Sequence, residues 1–237
     1  MTSIDAIINR QIGRWELERQ RALEHPQTAR HPVPPIVTIS RQTGSRGSYF
    51  GSRLAQKLGY QRLHREIIDA ITQESGYYRR VIEALDDHMR SGLDVMVEGM
   101  FSGQTVDNRD YARLLCKVVL SMAELGGVVL MGRGGNFILG MNRGFHIRFT
   151  CSLTSRVENL MKYSAFSEKD AVNRIRQSDN ERREFMRKMF HADIDDPTRY
   201  DLMINSEKLD VEDLLDVVIP AIRAKTSKLE HQKEEGE

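Results

Sequence analysis

Residues 36–55 read IVTISRQTGSRGSYFGSRLA, and this stretch decides the fold. Ile36 to Ser40 have the length and the apolar, β-branched character of a short buried strand. A turn rich in glycine and serine follows, after which Phe50, Leu54, Ala55 and Leu58 recur on one helical face. Strand, small-residue turn and helix start in that order make an anion site. The unpaired N–H groups of the first helical turn and the positive end of the helix dipole face the same loop. Gly44 and Gly47 let the backbone approach a ligand closely. Ser45 and Ser48 add hydroxyls, and Arg41 and Arg46 add fixed positive charge.

The loop departs from the pattern G-x-x-x-x-G-K-[ST]. With Ser48 in the hydroxyl position, Gly47 stands where the lysine belongs, and Arg41 and Arg46 take the two glycine positions. Two other readings stay open: a tight turn that only packs helix on strand, and a nicotinamide-type turn, for which G-x-G-x-x-G is absent. If phosphates do sit here, Arg46 is the nearest positive side chain inside the loop, with Arg41 in reserve at the strand end.

Outward from the loop, 237 residues suffice for one good-sized core. The 35 basic and 34 acidic residues nearly cancel, so no global field draws nucleic acid or a membrane surface. Cys116 and Cys151 are too few for a disulfide framework and sit in apolar runs, as reduced core thiols do. The N-terminus shows no continuous apolar segment, so a soluble cytoplasmic protein is expected. Residues 3–24 form an amphipathic helix that packs on its own domain or on a second copy of the chain, with both charge signs on its polar side. Four of the six prolines then fall in residues 25–35, an extended linker. The expected organisation is thus an appendage over 1–35, a core over 36–224 and a charged, frayed tail over 225–237.

Within the core the periodicities predict a strand at Tyr60 to Leu63 and helices over 65–75 and 78–90. Leu93 to Phe101 reads equally as helix or strand. A helix over 110–125 runs through Leu114, Leu115, Val118, Val119 and Met122, and Gly126-Gly127 breaks it before a buried strand at Val128 to Met131. That strand enters Gly132-Arg133-Gly134-Gly135, an arginine among glycines at a strand end, where open α/β sheets place ligands. A strand over 145–149 and a helix over 153–163 follow. Ser167 caps a helix to about Gln177, and a run of charge follows with Asp179, Arg182 and Arg183. That run reads either as a solvated helix face or as a mobile lid, over about 167–196, that brings arginines to phosphates. Leu202 to Ile204 is the last strand, and Pro220 kinks or ends the last helix. Five strands alternating with helices predict an α/β fold with a mostly parallel sheet and helices on both faces.

With these landmarks placed, the chain resembles the cytidylate kinase-like branch of the P-loop nucleoside monophosphate kinases. The likeness is carried by IVTISRQTGSRG, VVLMGRGGNFIL and DDPTRYDLMINSEKL and covers roughly residues 36–218. It implies a three-layer α/β/α P-loop kinase-like fold with a five-stranded sheet and a helical lid. It also implies transfer of the γ-phosphoryl of ATP, with Mg²⁺, to a nucleoside monophosphate such as CMP or dCMP. By that likeness Gly44, Ser45, Arg46, Gly47 and Ser48 would hold donor phosphates, and Ser48 would touch the metal. Arg133 would hold the acceptor phosphate, and Asp179, Arg182 and Arg183 would belong to the lid. Two departures stand out: Gly47 at the lysine position, and Leu63-His64-Arg65 where similar sequences carry an acidic residue. A kinase working through arginines, a nucleotide-binding module without turnover, and an enzyme acting on another phosphorylated ligand all fit these residues.

Overall fold

The structure, a computed structural model, describes residues 3–24, 34–102 and 109–235. In chain order the elements are α1 (Ser3–Glu24), β1 (Val37–Arg41), α2 (Gly47–Leu58), β2 (Gln61–Leu63), α3 (Arg65–Gln73), α4 (Ser75–Glu83), α5 (Asp87–Met100) and α6 (Arg109–Leu125). They continue as β3 (Val128–Met131), α7 (Gly135–Leu139), β4 (Phe145–Thr150), α8 (Leu153–Ser164), α9 (Glu168–Phe190), a 3-10 turn (Pro197–Arg199), β5 (Leu202–Asn205) and α10 (Val211–Glu235).

The five strands pair in parallel in the order β2-β3-β1-β4-β5. β1 lies at the centre, with Ile39 opposite both Met131 and Ile147 and Arg41 opposite Phe149. Because side chains alternate along a strand, β3 feeds two cores. Val128 and Leu130 join Ile68, Ile71, Leu115 and Val119 on one face. Val129 and Met131 join Phe50, Leu54, Leu215 and Val218 on the other. The result is the three-layer α/β/α arrangement with an all-parallel sheet. The carboxyl ends of β1, β3 and β4 open along one edge, so the glycine turns after β1 and β3 are neighbours.

Several boundaries differ from the periodicity. The helix expected over 78–90 is two helices, because Asp86 accepts the Met89 N–H at 2.8 Å and starts α5 afresh. The ambiguous run 93–101 is the second half of α5, with Leu93, Val97 and Phe101 buried. α9 runs unbroken past Gln177, with Ile175, Ser178, Asp179, Met186 and Met189 buried along it. α10 passes through Pro220 and includes most of the tail expected to fray. Its apolar stripe of Leu214, Leu215, Val218 and Ile222 lies on the sheet on both sides of the proline, and that packing outweighs one missing N–H.

α1 packs on α4 and α6, with Ile8 and Trp15 in the same core as the strands. Arg80 donates to Asp5 at 2.8 Å, and Gln11 Nε2 donates to the Gly126 carbonyl. The apolar face of this helix is therefore spent within the chain, which leaves less of it for a second copy. Residues 25–33 of the proline-rich linker lie outside the described residues. Among the described residues no helix is long and apolar enough to cross a membrane.

Candidate functional site

β1 carries the chain to Arg41, and the turn 42–46 lifts it onto α2. Gln42 N–H donates to the Phe149 carbonyl at 3.0 Å, and the Gln42 side chain accepts the Cys151 N–H at 3.1 Å. Both bonds pin the turn to β4. Gly44 (φ 83°) is a glycine for two reasons, since an added Cβ would also lie 2.5 Å from the Arg156 carbonyl oxygen. The Ser45 hydroxyl donates to the Gln42 carbonyl at 2.8 Å, and Ser206 donates to the Ser45 carbonyl at 2.7 Å. Ser45 thus braces the turn from within. Arg46 is the N-cap of α2 at φ 60°, with no side-chain capping bond, and its guanidinium reaches Asp210 at 3.8 Å.

Gly47 is helical, so its need for glycine is steric. A Cβ there would lie 2.9 Å from Arg41 Cβ and from Phe149. Arg41 fills that space and runs back under the helix start, where its Nε donates to Ser48 Oγ at 3.2 Å. Burial, and then the nearby Arg182, push the Arg41 pKa down from 12.5 to about 10.

Beside this turn lies a cavity of about 440 Å³. Five arginines line it (Arg41, Arg65, Arg133, Arg174 and Arg182) against two glutamates, Glu66 and Glu181. The excess of fixed positive charge suits an anion of nucleotide size. Arg133 enters from the turn after β3, at φ 56° between Gly132 (φ 82°) and Gly134 (φ 66°). Asp69 of α3 grips its guanidinium through both carboxylate oxygens, and Tyr111 donates to Asp69 at 2.8 Å. The guanidinium also lies over the Phe185 ring, 4.9 Å from its centroid.

α9 closes the cavity and ties the two turns together. Asp179 accepts the Thr43 N–H at 3.0 Å and pairs with Arg156 and Arg182. Arg182 donates to the Thr43 hydroxyl at 2.6 Å and to the Arg41 carbonyl at 3.2 Å. Burial lowers its pKa, and Asp179 offsets part of that fall. Two turns further along, the Phe190 ring lies against Gly134 and leaves no room there for a Cβ. The other residue of the charged run, Arg183, points away and donates to Asn180 at 2.8 Å.

Of the residues named from sequence, Arg41, Arg133 and Arg182 line one cavity, and Asp179 holds the turn beside it. The loop residues 44–48 do not line it, and the Arg46 and Arg183 side chains reach Asp210 and Asn180 instead. Sequence reasoning missed Asp69, Arg65, Arg156 and Arg174. Only Arg65 and Asp69 carried a signal, as an i,i+4 charge pair at the start of α3, now 3.7 Å apart. Arg148 of β4 was also missed. It is nearly fully buried, donates to Ser40 at 2.7 Å, and is held by Asp195.

Among the described residues no group of three or more histidine, cysteine, aspartate or glutamate side chains could hold an ion. Ser48, the hydroxyl expected on the metal, already accepts from a guanidinium.

Known proteins resemble this chain in sequence and in fold. Over 106 residues, 44% of this chain and 60% of that protein, the chain is 28% identical to a cytidylate kinase of Methanocaldococcus jannaschii. It is 24% identical over 132 residues to a cytidylate kinase of Methanococcus aeolicus, covering 53% of this chain and 72% of that protein. A uronate isomerase of Corynebacterium glutamicum is 32% identical over 113 residues, a stretch that spans only 22% of its length. In fold, the chain superposes on a crystal structure of an uncharacterized protein from Eubacterium ventriosum. The TM-score is 0.63 at 20% identity, covering 80% of this chain and 98% of that one. The family model described as the cytidylate kinase-like family matches residues 36–208, which hold the turn after β1, the Arg133 turn and the whole of α9. By that match, the chain belongs to the cytidylate kinase-like family.

Proposed function

We propose that this protein is a phosphotransferase that moves the γ-phosphoryl group of a nucleoside triphosphate such as ATP to a nucleoside monophosphate, with CMP or dCMP as acceptor. The observation that carries this reading is the arginine-lined cavity between the end of β1 and the turn after β3, roofed by α9. The donor phosphates lie against Gly44 to Ser48, where the first N–H groups of α2 are unpaired within the helix. Arg133 holds the acceptor phosphate. Arg41 and Arg182 face the group in transit, whose charge spreads over three oxygens as the β,γ bridge opens and an acceptor phosphate oxygen closes on phosphorus. Asp179 positions Arg182 and Thr43. The segment 167–196 acts as a lid that excludes water once both ligands are present. Phosphoryl transfer in this family generally requires Mg²⁺ with the triphosphate, and no step here is assigned to it.

A coupled assay for ADP with ATP and a panel of nucleoside monophosphates tests the reading. Turnover highest with CMP or dCMP is expected. One observation favours a second reading: the space for a loop lysine is filled at Gly47. Tight nucleotide binding with no turnover on any acceptor would establish that second reading, a binding module.

A further inference from the structure

In the phosphate-loop arrangement two cations meet the β- and γ-phosphates. One is the loop lysine, and the other is a metal ion held by the next hydroxyl and a carboxylate. Among the described residues the loop has a seat for neither. At Gly47 the room for a lysine stem is occupied by the Cβ of Arg41, 2.9 Å from where a Cβ would stand. In the hydroxyl position, Ser48 Oγ is engaged by Arg41 Nε at 3.2 Å. β3 ends in Met131-Gly132 and offers no carboxylate, and a Cβ on Gly132 would lie 3.0 Å from Arg41 Nη1. One guanidinium therefore spans the gap between the first turn of α2 and the end of β3.

The carboxylate that attracts the Arg41 guanidinium, Glu66 of the same cavity wall, forms no ion pair with it, while Arg182, Arg62 and Arg65 repel it. Arg133, Arg148, Arg156 and Arg182 are each ion-paired to an aspartate. Arg41 forms no ion pair among the described residues, and its side chain lines the cavity. A divalent ion placed in the same gap would meet a fixed like charge at contact distance.

Granted the nucleotide reading, on which this rests, we propose that Arg41 takes the place of both cations, so that the site binds a nucleoside di- or triphosphate as the metal-free polyanion. The planar fork reaches phosphate oxygens in pairs, which a point charge cannot do. Arg182, held by Asp179, closes over the same group.

Calorimetric titration of ADP and a non-hydrolysable ATP analogue, in EDTA and in millimolar Mg²⁺, tests this. For the wild-type chain the affinity in EDTA is expected to equal or exceed that in Mg²⁺. For Arg41→Gln we expect a loss of about 10²-fold in EDTA, much of it recovered by Mg²⁺, because the vacated gap then admits the ion. Without ligand the variant should melt no lower than the wild type, since it loses a half-buried cation that three neighbouring arginines repel. Wild-type binding that falls tenfold or more in EDTA overturns the inference and leaves the nucleotide reading standing. Equal losses for Arg41→Gln in both media, or a lowered melting temperature, also overturn it by making Arg41 an ordinary contact or a structural one. No binding of either nucleotide under any condition defeats the nucleotide reading and this inference together.

Discussion

Two turns of this molecule carry an arginine in the left-handed region, Arg46 after β1 at φ 60° and Arg133 after β3 at φ 56°. Both have glycine close by, both follow a central strand, and both precede a helix start. A side chain in that region costs about 1–2 kcal/mol, so each needs a reason to be there. The reasons differ. In the second turn the aspartate of a neighbouring helix, Asp69, grips the arginine itself and aims it into the cavity. In the first, the helix-borne aspartate, Asp179, takes the backbone at Thr43, and the arginine is left to reach outward to the exposed Asp210. A strained arginine is therefore no mark of a binding residue until its carboxylate partner and the wall it faces are known. On the proposed function, the first turn would bind through the N–H groups of α2 and the neighbouring Arg41, and the second through the arginine side chain itself.

The sharpest way to break this comparison is to remove Arg133. Arg133→Gly relieves the backbone and should leave the melting temperature nearly unchanged, with Tyr111 and Arg65 still beside Asp69. Acceptor KM should rise by about 10²–10³, the usual scale for one electrostatic contact in a dry site. Equal losses of folding and acceptor affinity would make the Asp69–Arg133 pair a structural strut, and the two turns would then differ only in which strut they use.

Next in size is Gly47→Lys, which installs the lysine that the loop pattern asks for. By spacing alone this change reads as a gain of activity. The structure reverses that expectation, because the new Cβ collides with Arg41 Cβ and with Phe149 in a packed layer. Overpacking of this kind costs about 1–3 kcal/mol. The expected result is a lower melting temperature and lower turnover. Wild-type stability with raised turnover would show that Arg41 yields readily and that the first turn is more ordinary than its packing suggests.

Much of this was legible in the chain itself. Buried strands without alternation, glycines at strand ends and the helical stripes of α2, α6 and α10 are local signals, and they led to the parallel three-layer arrangement. The arginine among glycines after Met131 was likewise a local signal, and it does face the cavity. What escaped was everything set by tertiary direction. Arg46 and Arg41 are both cations near one turn, and only the collision at Gly47 and the bond to Ser48 show which of them points inward. Asp69, Arg156 and Arg174 lie on amphipathic helices, where a charged residue ordinarily means solvent. Their roles come from which helix packs beside which turn. The same cause hid the length of α9, whose charged face read as a boundary because its buried stripe is narrow.

The smallest expected effect is the most telling for the comparison, and it concerns Arg46→Gly. Glycine removes the left-handed penalty of about 1–2 kcal/mol, while greater freedom in the unfolded chain returns about 0.4–1 kcal/mol of that gain. The substitution also removes one ion pair, at 3.8 Å to Asp210, whose side chain is 83% exposed. Such pairs are worth little in water. The balance lies between no change and a gain of about 1.5 kcal/mol, and for a chain of this size each kcal/mol moves the melting temperature up by roughly 2–4 °C. Nucleotide affinity should stay within about threefold of the wild type, because the α2 N–H groups and Arg41 are untouched. A 10²-fold fall in affinity with unchanged melting would mean that the guanidinium leaves Asp210 and swings over the loop when phosphates arrive. Arg46 would then stand beside Arg133 as a ligand, and the two left-handed arginines would differ in timing rather than in role.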